Sequence, residues 1–239
     1  FVNSGMMTLQ QAVWIIMGAN VGTTITGQLI ALDVGAIAPL FAFIGVAFIV
    51  FLKNEKLHHY GKIIAGLGIL FIGMDMMSAA MVPLRESETF VNIITRFSNP
   101  VLGILAGAIF TAIIQSSSAS VGILQALASG GVIGLPQAVY VLFGQNIGTC
   151  ITAFLSSVGG SKNARRTAMV HFYFNLIGSI LFLIGIYAIQ YTVGFSFWDN
   201  AIDKGGIANF HTLFNLTCTV LFLPFTGLLV KLATASVPA

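Results

Sequence analysis

Four consecutive residues with hydrogen-bonding side chains, Gln115 to Ser118, interrupt an apolar stretch of the sequence between residues 108 and 127. Two further motifs, GANVGTT at 18–24 and GQNIGTC at 144–150, each place an Asn between two glycines. Serine, threonine and amide side chains supply rotatable donors and uncharged oxygen acceptors. Such groups suit a tetrahedral oxyanion and a hard cation such as Na⁺, and no Lys or Arg lies in these motifs to bind an anion by charge.

The composition identifies the class of protein that positions these residues. Hydrophobic residues make up 57% of the 239-residue chain and charged residues 7%, whereas soluble domains are roughly one quarter charged. Long apolar segments without the alternating pattern of barrel strands favour helices, because only helices and closed barrels satisfy their backbone in lipid. We predict an all-α polytopic protein of the lipid bilayer, with membrane segments near 9–32, 36–53, 61–82, 99–130, 135–158, 167–190 and 206–234.

The segment at 99–130 is too long for one simple crossing and too short for two. A re-entrant hairpin, in which two half-helices meet at a polar tip, explains both its length and the polar residues at its middle. Just before it, residues 84–100 set charges against Phe90, Ile93 and Ile94. This pattern is typical of an amphipathic helix at the membrane surface.

The sequence contains an internal repeat. Residues 5–26 and 131–152 align at a constant offset without a gap and are identical at half of their positions. The glycines of both copies allow the helix to unwind around the Asn, so we predict unwound membrane helices there. The copy of the polar tip that belongs to the first repeat would precede Phe1, and we expect that hairpin to be missing from these residues. The predicted division is a first repeat at 1–82, an interfacial connector at 83–98 and a second repeat at 99–239.

The distribution of charge predicts the topology. The loops at 53–62 and 159–166 and the C-terminus carry most of the basic residues, namely Lys53, Lys56, Lys62, Lys162, Arg165, Arg166 and Lys231. The other side carries Arg85, Arg96 and Lys204, offset by Asp33, Glu86, Glu88, Asp199 and Asp203. The positive-inside tendency makes the first side cytoplasmic in a plasma (inner) membrane. The two repeats then run in opposite directions, which is the inverted-repeat architecture of secondary transporters.

The motifs suggest how an anion and a cation could bind together. A half-helix N-terminus binds phosphate or carboxylate through free N–H groups and its dipole. Unwound carbonyls and side-chain oxygens form an uncharged cage that suits Na⁺, with side chains from Gln115, Asn20, Asn146, Thr23 and Thr149. The anion then binds well only when sodium neutralises the site, which is a coupling mechanism.

Four motifs resemble the type II sodium/phosphate cotransporter family, in its bacterial branch: QSSSAS at 115–120, GQNIGTCIT at 144–152, GANVGTTIT at 18–26 and ANFHTLFN at 208–215. The resemblance implies a sodium-coupled symporter of inorganic phosphate that works by alternating access, with Na⁺ as coupling ion and no other cofactor. It implies a phosphate site of Ser116, Ser117, Ser118, Asn20, Thr23, Thr24, Asn146 and Thr149. It implies a sodium site of Gln115, Ser118, Asn20, Thr23, Asn146 and Thr149. The missing first QSSS departs from the family pattern.

Several alternatives stay open at this point. The anion could be sulfate or a dicarboxylate, and the oligomeric state is undetermined, with a homodimer one option. A membrane enzyme with a nucleophilic serine is disfavoured, because the QSSS stretch matches neither G-x-S-x-G nor S-x-x-K. A channel is disfavoured because the polar groups cluster at two depths, and the scattered basic residues exclude a nucleic-acid site.

Single residues carry weaker signals. Asp75 could bind sodium or a proton, accept hydrogen bonds within the core, or lie near the interface. For His171 and His211 a structural hydrogen bond to a neighbouring helix is favoured over a proton relay. Asn175 and Asn215 each follow a His by four residues and share its helix face.

Overall fold

The computed structural model describes residues 1–32, 35–81, 83 and 87–238. Its α-helices are α1 Leu9–Ala31, α2 Ala38–Phe51, α3 Glu55–Met81, α4 Glu88–Arg96, α5 Pro100–Ile114, α6 Ser117–Ser129, α7 Leu135–Gly148, α8 Cys150–Ser157, α9 Lys162–Thr192, α10 Lys204–Phe222 and α11 Thr226–Ser236. Within the described residues five helical stretches are long and apolar enough to cross a membrane. The predicted all-α polytopic membrane protein is confirmed.

Some predicted loops are helical. The Asn54 side-chain oxygen accepts the N–H of Lys56 at 2.9 Å, and α3 begins at Glu55, so the prediction of a loop over 53–62 is wrong beyond residue 54. In the same way α9 begins at Lys162, because the hydroxyl of Ser161 accepts the N–H of Ala164 at 3.2 Å. The predicted segment 206–234 is interrupted by a short 3-10 turn at Leu223–Phe225, where proline cannot donate a helix hydrogen bond.

The helix break predicted within 99–130 is present. Helix α5 ends at Ile114, Gln115 takes the left-handed conformation with φ 58°, and Ser116 is extended. A left-handed conformation is uncommon for a residue other than glycine, so the chain turns sharply at this point. The hydroxyl of Ser116 then accepts the N–H of Ala119 at 3.2 Å and starts α6.

Helices α5 and α6 form a hairpin whose two legs both pack on α7. Along α5, Gly103 lies against Tyr140 and Gly107 against Val141, so α5 and α7 run in the same direction. Helix α6 returns into α7 through the short turn at 130–134 and therefore runs against it. The depth of the tip in a bilayer stays a prediction.

The α5–α7 contact depends on glycine. A Cβ atom at Gly144 would overlap the carbonyl oxygen of Ile104, and one at Gly148 would overlap that of Ala108. The equivalent position of Gly144 in the first repeat is Gly18 on α1, and no atom of the described residues would lie within 4 Å of a Cβ there. Within the described residues, the glycines of the second copy therefore pack against a neighbouring helix, whereas Gly18 of the first copy does not.

The prediction that both Gly-x-Asn-x-Gly-Thr motifs are unwound is wrong for the first copy. Helix α1 is continuous from Leu9 to Ala31, and Asn20 donates to the carbonyl oxygen of Ile16 at 2.8 Å. Glycine permits unwinding but does not require it, and side chains that bond their own helix leave little need for an outside partner. In the second copy only Thr149 separates α7 from α8. It keeps helical angles and donates its N–H to the carbonyl of Gln145, so this copy is not unwound either.

The core lies where α1, α7, α9 and α10 meet, and its largest fully buried side chains are Met17, Phe143, Phe174 and Phe214. Helix α1 runs parallel to α6, because Gly27 packs on Val121 one turn after Thr23 meets Ser117. Since α6 runs against α7, α1 and α7 run in opposite directions. An inverted repeat requires this orientation. The division into repeats at 1–82 and 99–239 stays a prediction.

Helix α4 occupies most of the predicted connector at 83–98, and Ile93 on it is about half exposed. Its place at a membrane surface stays a prediction. Asp33, Arg85 and Glu86, which the charge count used, lie outside the described residues.

The glycine contact predicts opposite effects of one substitution in the two repeats. We expect Gly144→Ala to lower the thermal unfolding midpoint of the detergent-solubilised chain, because the methyl group meets fixed backbone; overpacking of this kind costs about 1–3 kcal/mol. The matched control Gly18→Ala should leave the midpoint unchanged or raise it, because alanine is the better helix former by roughly 1 kcal/mol. Equal shifts in the two variants would contradict the packing described here.

Candidate functional site at the hairpin tip

The tip of the hairpin presents the first turn of α6 to α1. The hydroxyl oxygens of Ser117 and Thr23 lie 3.2 Å apart in a hydrogen bond between the two elements. Ser116 and Ser118 are half-buried, whereas Gln115 is exposed at the turn. The N–H groups of Ser117 and Ser118 precede the first hydrogen bonds of the α6 helix, so they point out of its N-terminus.

Ser116 and Ser118 open into a cavity of about 510 Å³ between the tip, α1 and α3. The α1 side contributes Thr26, and the α3 side contributes Met74 and Met77. The serines therefore divide between two surroundings, with Ser117 bonded to α1 and its two neighbours facing this cavity. The cavity walls beyond the hydroxyls are largely apolar, so the polar groups are concentrated at the tip.

The second motif lies close to the hairpin but does not bond its tip. Asn146 is buried and donates to the carbonyl oxygen of Leu142 at 2.9 Å, as Asn20 does to Ile16 in the first repeat. The hydroxyl of Thr149 donates to the carbonyl of Gln145 at 2.8 Å. In the described part of the chain, the side chains of Asn146 and Thr149 therefore bond only to carbonyl groups of α7.

The first motif is divided in the same way. Thr23 reaches the tip, whereas Thr24 is buried and donates to the carbonyl oxygen of Val21 at 2.7 Å. Of the predicted site residues outside the tip, the structure joins only Thr23 to the serines by a hydrogen bond within the residues it describes. The other predicted residues outside the tip bond to backbone carbonyls close to them in sequence.

Two buried glutamines that the sequence analysis did not select hold α6 in place. The amide nitrogen of Gln145 donates to the carbonyl oxygen of Ser120 at 2.9 Å. The amide nitrogen of Gln125 donates to the carbonyl oxygens of Gly27 and Lys204, each at 3.0 Å. The sequence signal that could have identified these glutamines is a polar residue inside an apolar helix, since buried amides in membranes usually bond across helices.

The single residues with weaker sequence signals have different outcomes in the structure. Asp75 is exposed on α3, which excludes a role as a buried core carboxyl. His211 is buried next to Gly27, and its Nδ1 has no hydrogen-bond partner among the described residues. Its predicted hydrogen bond to a neighbouring helix is therefore wrong for Nδ1. Asn175 and Asn215 donate to the backbone carbonyls of the preceding histidines at 3.1 and 2.9 Å.

A model of the Na⁺/Pi-cotransporter family matches residues 1–79 and 84–202. The chain belongs to this family. YqeW of Bacillus subtilis, an uncharacterized protein, is 35% identical over 241 residues, which cover 100% of this chain and 77% of YqeW. YjbB of Escherichia coli, named as a candidate inorganic phosphate export protein, is 29% identical over 227 residues, which cover 94% of this chain and 41% of YjbB.

A eukaryotic relative matches a smaller part. The human sodium-dependent phosphate transport protein 2B is 32% identical over 134 residues, which cover 52% of this chain and 19% of that protein. No solved structure matches the chain. The resemblance to sodium/phosphate cotransporters is thus confirmed at the level of the family, and the chain spans less than half of the E. coli and human relatives.

The contact between α1 and the tip can be tested by cross-linking. In a Thr23→Cys/Ser117→Cys variant we expect copper phenanthroline to form an intramolecular disulfide, because the two side-chain oxygens replaced lie 3.2 Å apart. Intact-mass measurement after alkylation would report the loss of two reactive thiols. A Thr23→Cys/Ser129→Cys pair is the control, since residue 129 lies about 18 Å further along α6. Equal yields in both pairs would show that α1 and the tip are not placed as described.

Proposed function

We propose that the chain is part of a sodium-coupled transporter of inorganic phosphate that works by alternating access. The observation that carries the proposal is the helix break at Gln115 and Ser116, which sets the start of α6 beside Thr23 in a member of the Na⁺/Pi-cotransporter family. The names of the E. coli and human relatives, which refer to phosphate export and sodium-dependent phosphate transport, support the same substrate. Membership of a transporter family favours transport over catalysis.

In this proposal phosphate binds at the N-terminus of α6. The N–H groups of Ser117 and Ser118 and the positive end of the helix dipole attract the anion. The hydroxyls of Ser116, Ser117 and Ser118 can rotate to donate to phosphate oxygens. The hydrogen bond between Ser117 and Thr23 would be exchanged for bonds to phosphate, which would also bring α1 into the site.

The motif residues on α1 and α7 complete the proposed site only if they change partners. Asn20, Thr24, Asn146 and Thr149 all bond carbonyls close to them in sequence. Each Asn donates through its nitrogen, which leaves its side-chain oxygen directed away from that bond and suited to a cation. We propose that this exchange of partners accompanies the change between open states of the transporter.

Sodium would be held by uncharged oxygens. The proposed ligands are the side-chain oxygens of Gln115, Ser118, Asn20, Thr23, Asn146 and Thr149. No basic residue occurs in the tip or in the two motifs, so a phosphate dianion there depends on helix dipoles and on bound Na⁺. Bringing the anion into a low-dielectric region without a counter-charge is costly, and this cost would couple the two solutes.

The proposal includes a location and an orientation. We place the protein in the plasma (inner) membrane with the connections at 53–62 and 159–166 in the cytoplasm, following the basic residues there. The direction of flux in the cell depends on the gradients of both solutes. Sulfate or a dicarboxylate remains the alternative anion, because dipoles and hydroxyls do not by themselves select phosphate.

Flux through proteoliposomes tests this function. We expect labelled phosphate to enter vesicles that contain the chain at least tenfold faster with an inward Na⁺ gradient than with K⁺ in its place. Excess unlabelled phosphate should suppress the signal, whereas sulfate and succinate should not. Equal flux in Na⁺ and K⁺ would contradict sodium coupling, and suppression by sulfate or succinate would support the alternative anion.

Two substitutions test the assignment of the site residues. Ser117→Ala and Asn146→Ala should abolish the sodium-dependent component while the protein is still inserted at normal levels. Ser156→Ala on α8 is the matched control, because Ser156 is exposed and, among the described residues, its hydroxyl bonds only to the carbonyl of Thr152. Full sodium-dependent flux in both site variants would refute the assignment.

A further inference from the structure

The hairpin has a second cavity on the side away from α1. It lies between α5, α6 and α7, has a volume of about 520 Å³, and is lined mainly by apolar side chains, among them Phe97, Phe110 and Leu127. Its outer wall includes Ile109 and Ile113, which are 58% and 75% exposed. None of the described residues that line it is charged. The cavity therefore opens toward the region that a bilayer would fill with hydrocarbon, and it suits a neutral molecule.

The floor of this cavity carries two polar groups without hydrogen-bond partners in the part of the chain that the structure describes. Ser120 is fully buried and Gln145 is 2% exposed, and both line the cavity. The Ser120 hydroxyl oxygen and the Gln145 side-chain oxygen are buried without a hydrogen-bond partner among the described residues. The two groups are neighbours, because the amide nitrogen of Gln145 donates to the Ser120 carbonyl at 2.9 Å.

Unpartnered buried polar groups are costly, so a ligand that satisfies both would gain affinity. Gln145 offers an acceptor, and Ser120 offers a hydroxyl that can donate. One alcohol group meets both requirements, because it donates to the Gln145 oxygen and accepts from the Ser120 hydroxyl. An acyl chain without a polar head leaves both unpaired, and an ether can accept but cannot donate.

We propose that this cavity binds a single-chain lipid with a hydroxyl head group that enters from the bilayer. The head lies at Ser120 and Gln145, and the chain runs between the hairpin legs past Phe110 toward Ile113. This site is separate from the tip, whose serines face α1 and α3.

Occupation would have a consequence for the tip, and this step rests on the proposed function. Ser120 lies two residues after Ser118, so a molecule wedged between the legs would resist any change in their separation. If the hairpin moves during transport, the bound lipid slows flux. Binding itself does not depend on transport and is measured separately.

Fluorescence quenching tests the site. In a Phe110→Trp variant reconstituted in nanodiscs, we expect 11-bromoundecanol to quench the added tryptophan saturably. Its methyl ether has the same chain and bromine but lacks the donor, and it should bind about tenfold more weakly, as the loss of a buried hydrogen bond predicts. The chain without the added tryptophan corrects for quenching of Trp14 and Trp198.

Variants then identify the floor of the cavity. Ser120→Ala in the same background should weaken both the alcohol and the ether, because each accepts from the Ser120 hydroxyl, and the alcohol should stay the tighter ligand because it still donates to Gln145. Ser156→Ala, remote on α8, should change neither. Equal binding of alcohol and ether, or equal alcohol affinity with and without Ser120→Ala, would overturn the proposal in favour of an apolar groove filled by ordinary lipid chains. Failure of both probes to quench saturably would overturn it in favour of water at the two polar groups.

Discussion

The structure depends on one constraint: a helix broken within apolar surroundings must still satisfy its backbone. At Gln115 and Ser116 the chain leaves α5, passes through a left-handed residue and starts α6. Ser116 meets part of the requirement by capping α6, and Thr23 reaches Ser117 from α1. The remaining N–H groups at the start of α6 point away from their own helix. In a medium without water such groups are suited to an anion, which connects the break to the function proposed for the chain.

The tip is held differently on its two legs. Helix α5 packs on α7 through glycines that bring the two backbones together, so it has little freedom to slide. Helix α6 is held by amides, with Gln145 bonding it from α7 and Gln125 bonding it to the carbonyls of Gly27 and Lys204. Hydrogen bonds of this kind can be exchanged more readily than a backbone contact can be repacked. We infer that α6 is the leg whose position can change.

Much of this arrangement is readable from the sequence. The polar residues at 115–118 within an overlong apolar segment predict a helix break there, because two half-helices that meet at a polar tip explain both the length of the segment and the position of these residues. The helices and the family also follow from composition and motifs. The distribution of basic residues predicts opposite directions for α1 and α7, and the packing of α6 between them has that geometry.

Other features depend on tertiary contacts that the sequence does not display. Glycine pairs in α1 look able to unwind, but Asn20 and Thr24 bond carbonyls of their own helix and α1 stays continuous. Among the described residues, the two glycines of the motif contact a neighbouring helix in α7 but not in α1. This difference depends on the presence of a neighbouring helix and not on the motif. Gln125 and Gln145 could be noticed as polar residues in apolar helices, but their acceptors belong to other parts of the chain.

The central claim is that the start of α6 beside Thr23 binds the anion and does so with sodium. The most direct measurement is anomalous scattering from crystals of the chain grown with arsenate, a tetrahedral analogue of phosphate, in Na⁺ and in K⁺. The account predicts an arsenic peak at the start of α6 in Na⁺, placed so that the arsenate oxygens accept from the Ser117 and Ser118 N–H groups, and a much weaker peak in K⁺. A peak elsewhere, or equal peaks in the two cations, would contradict it.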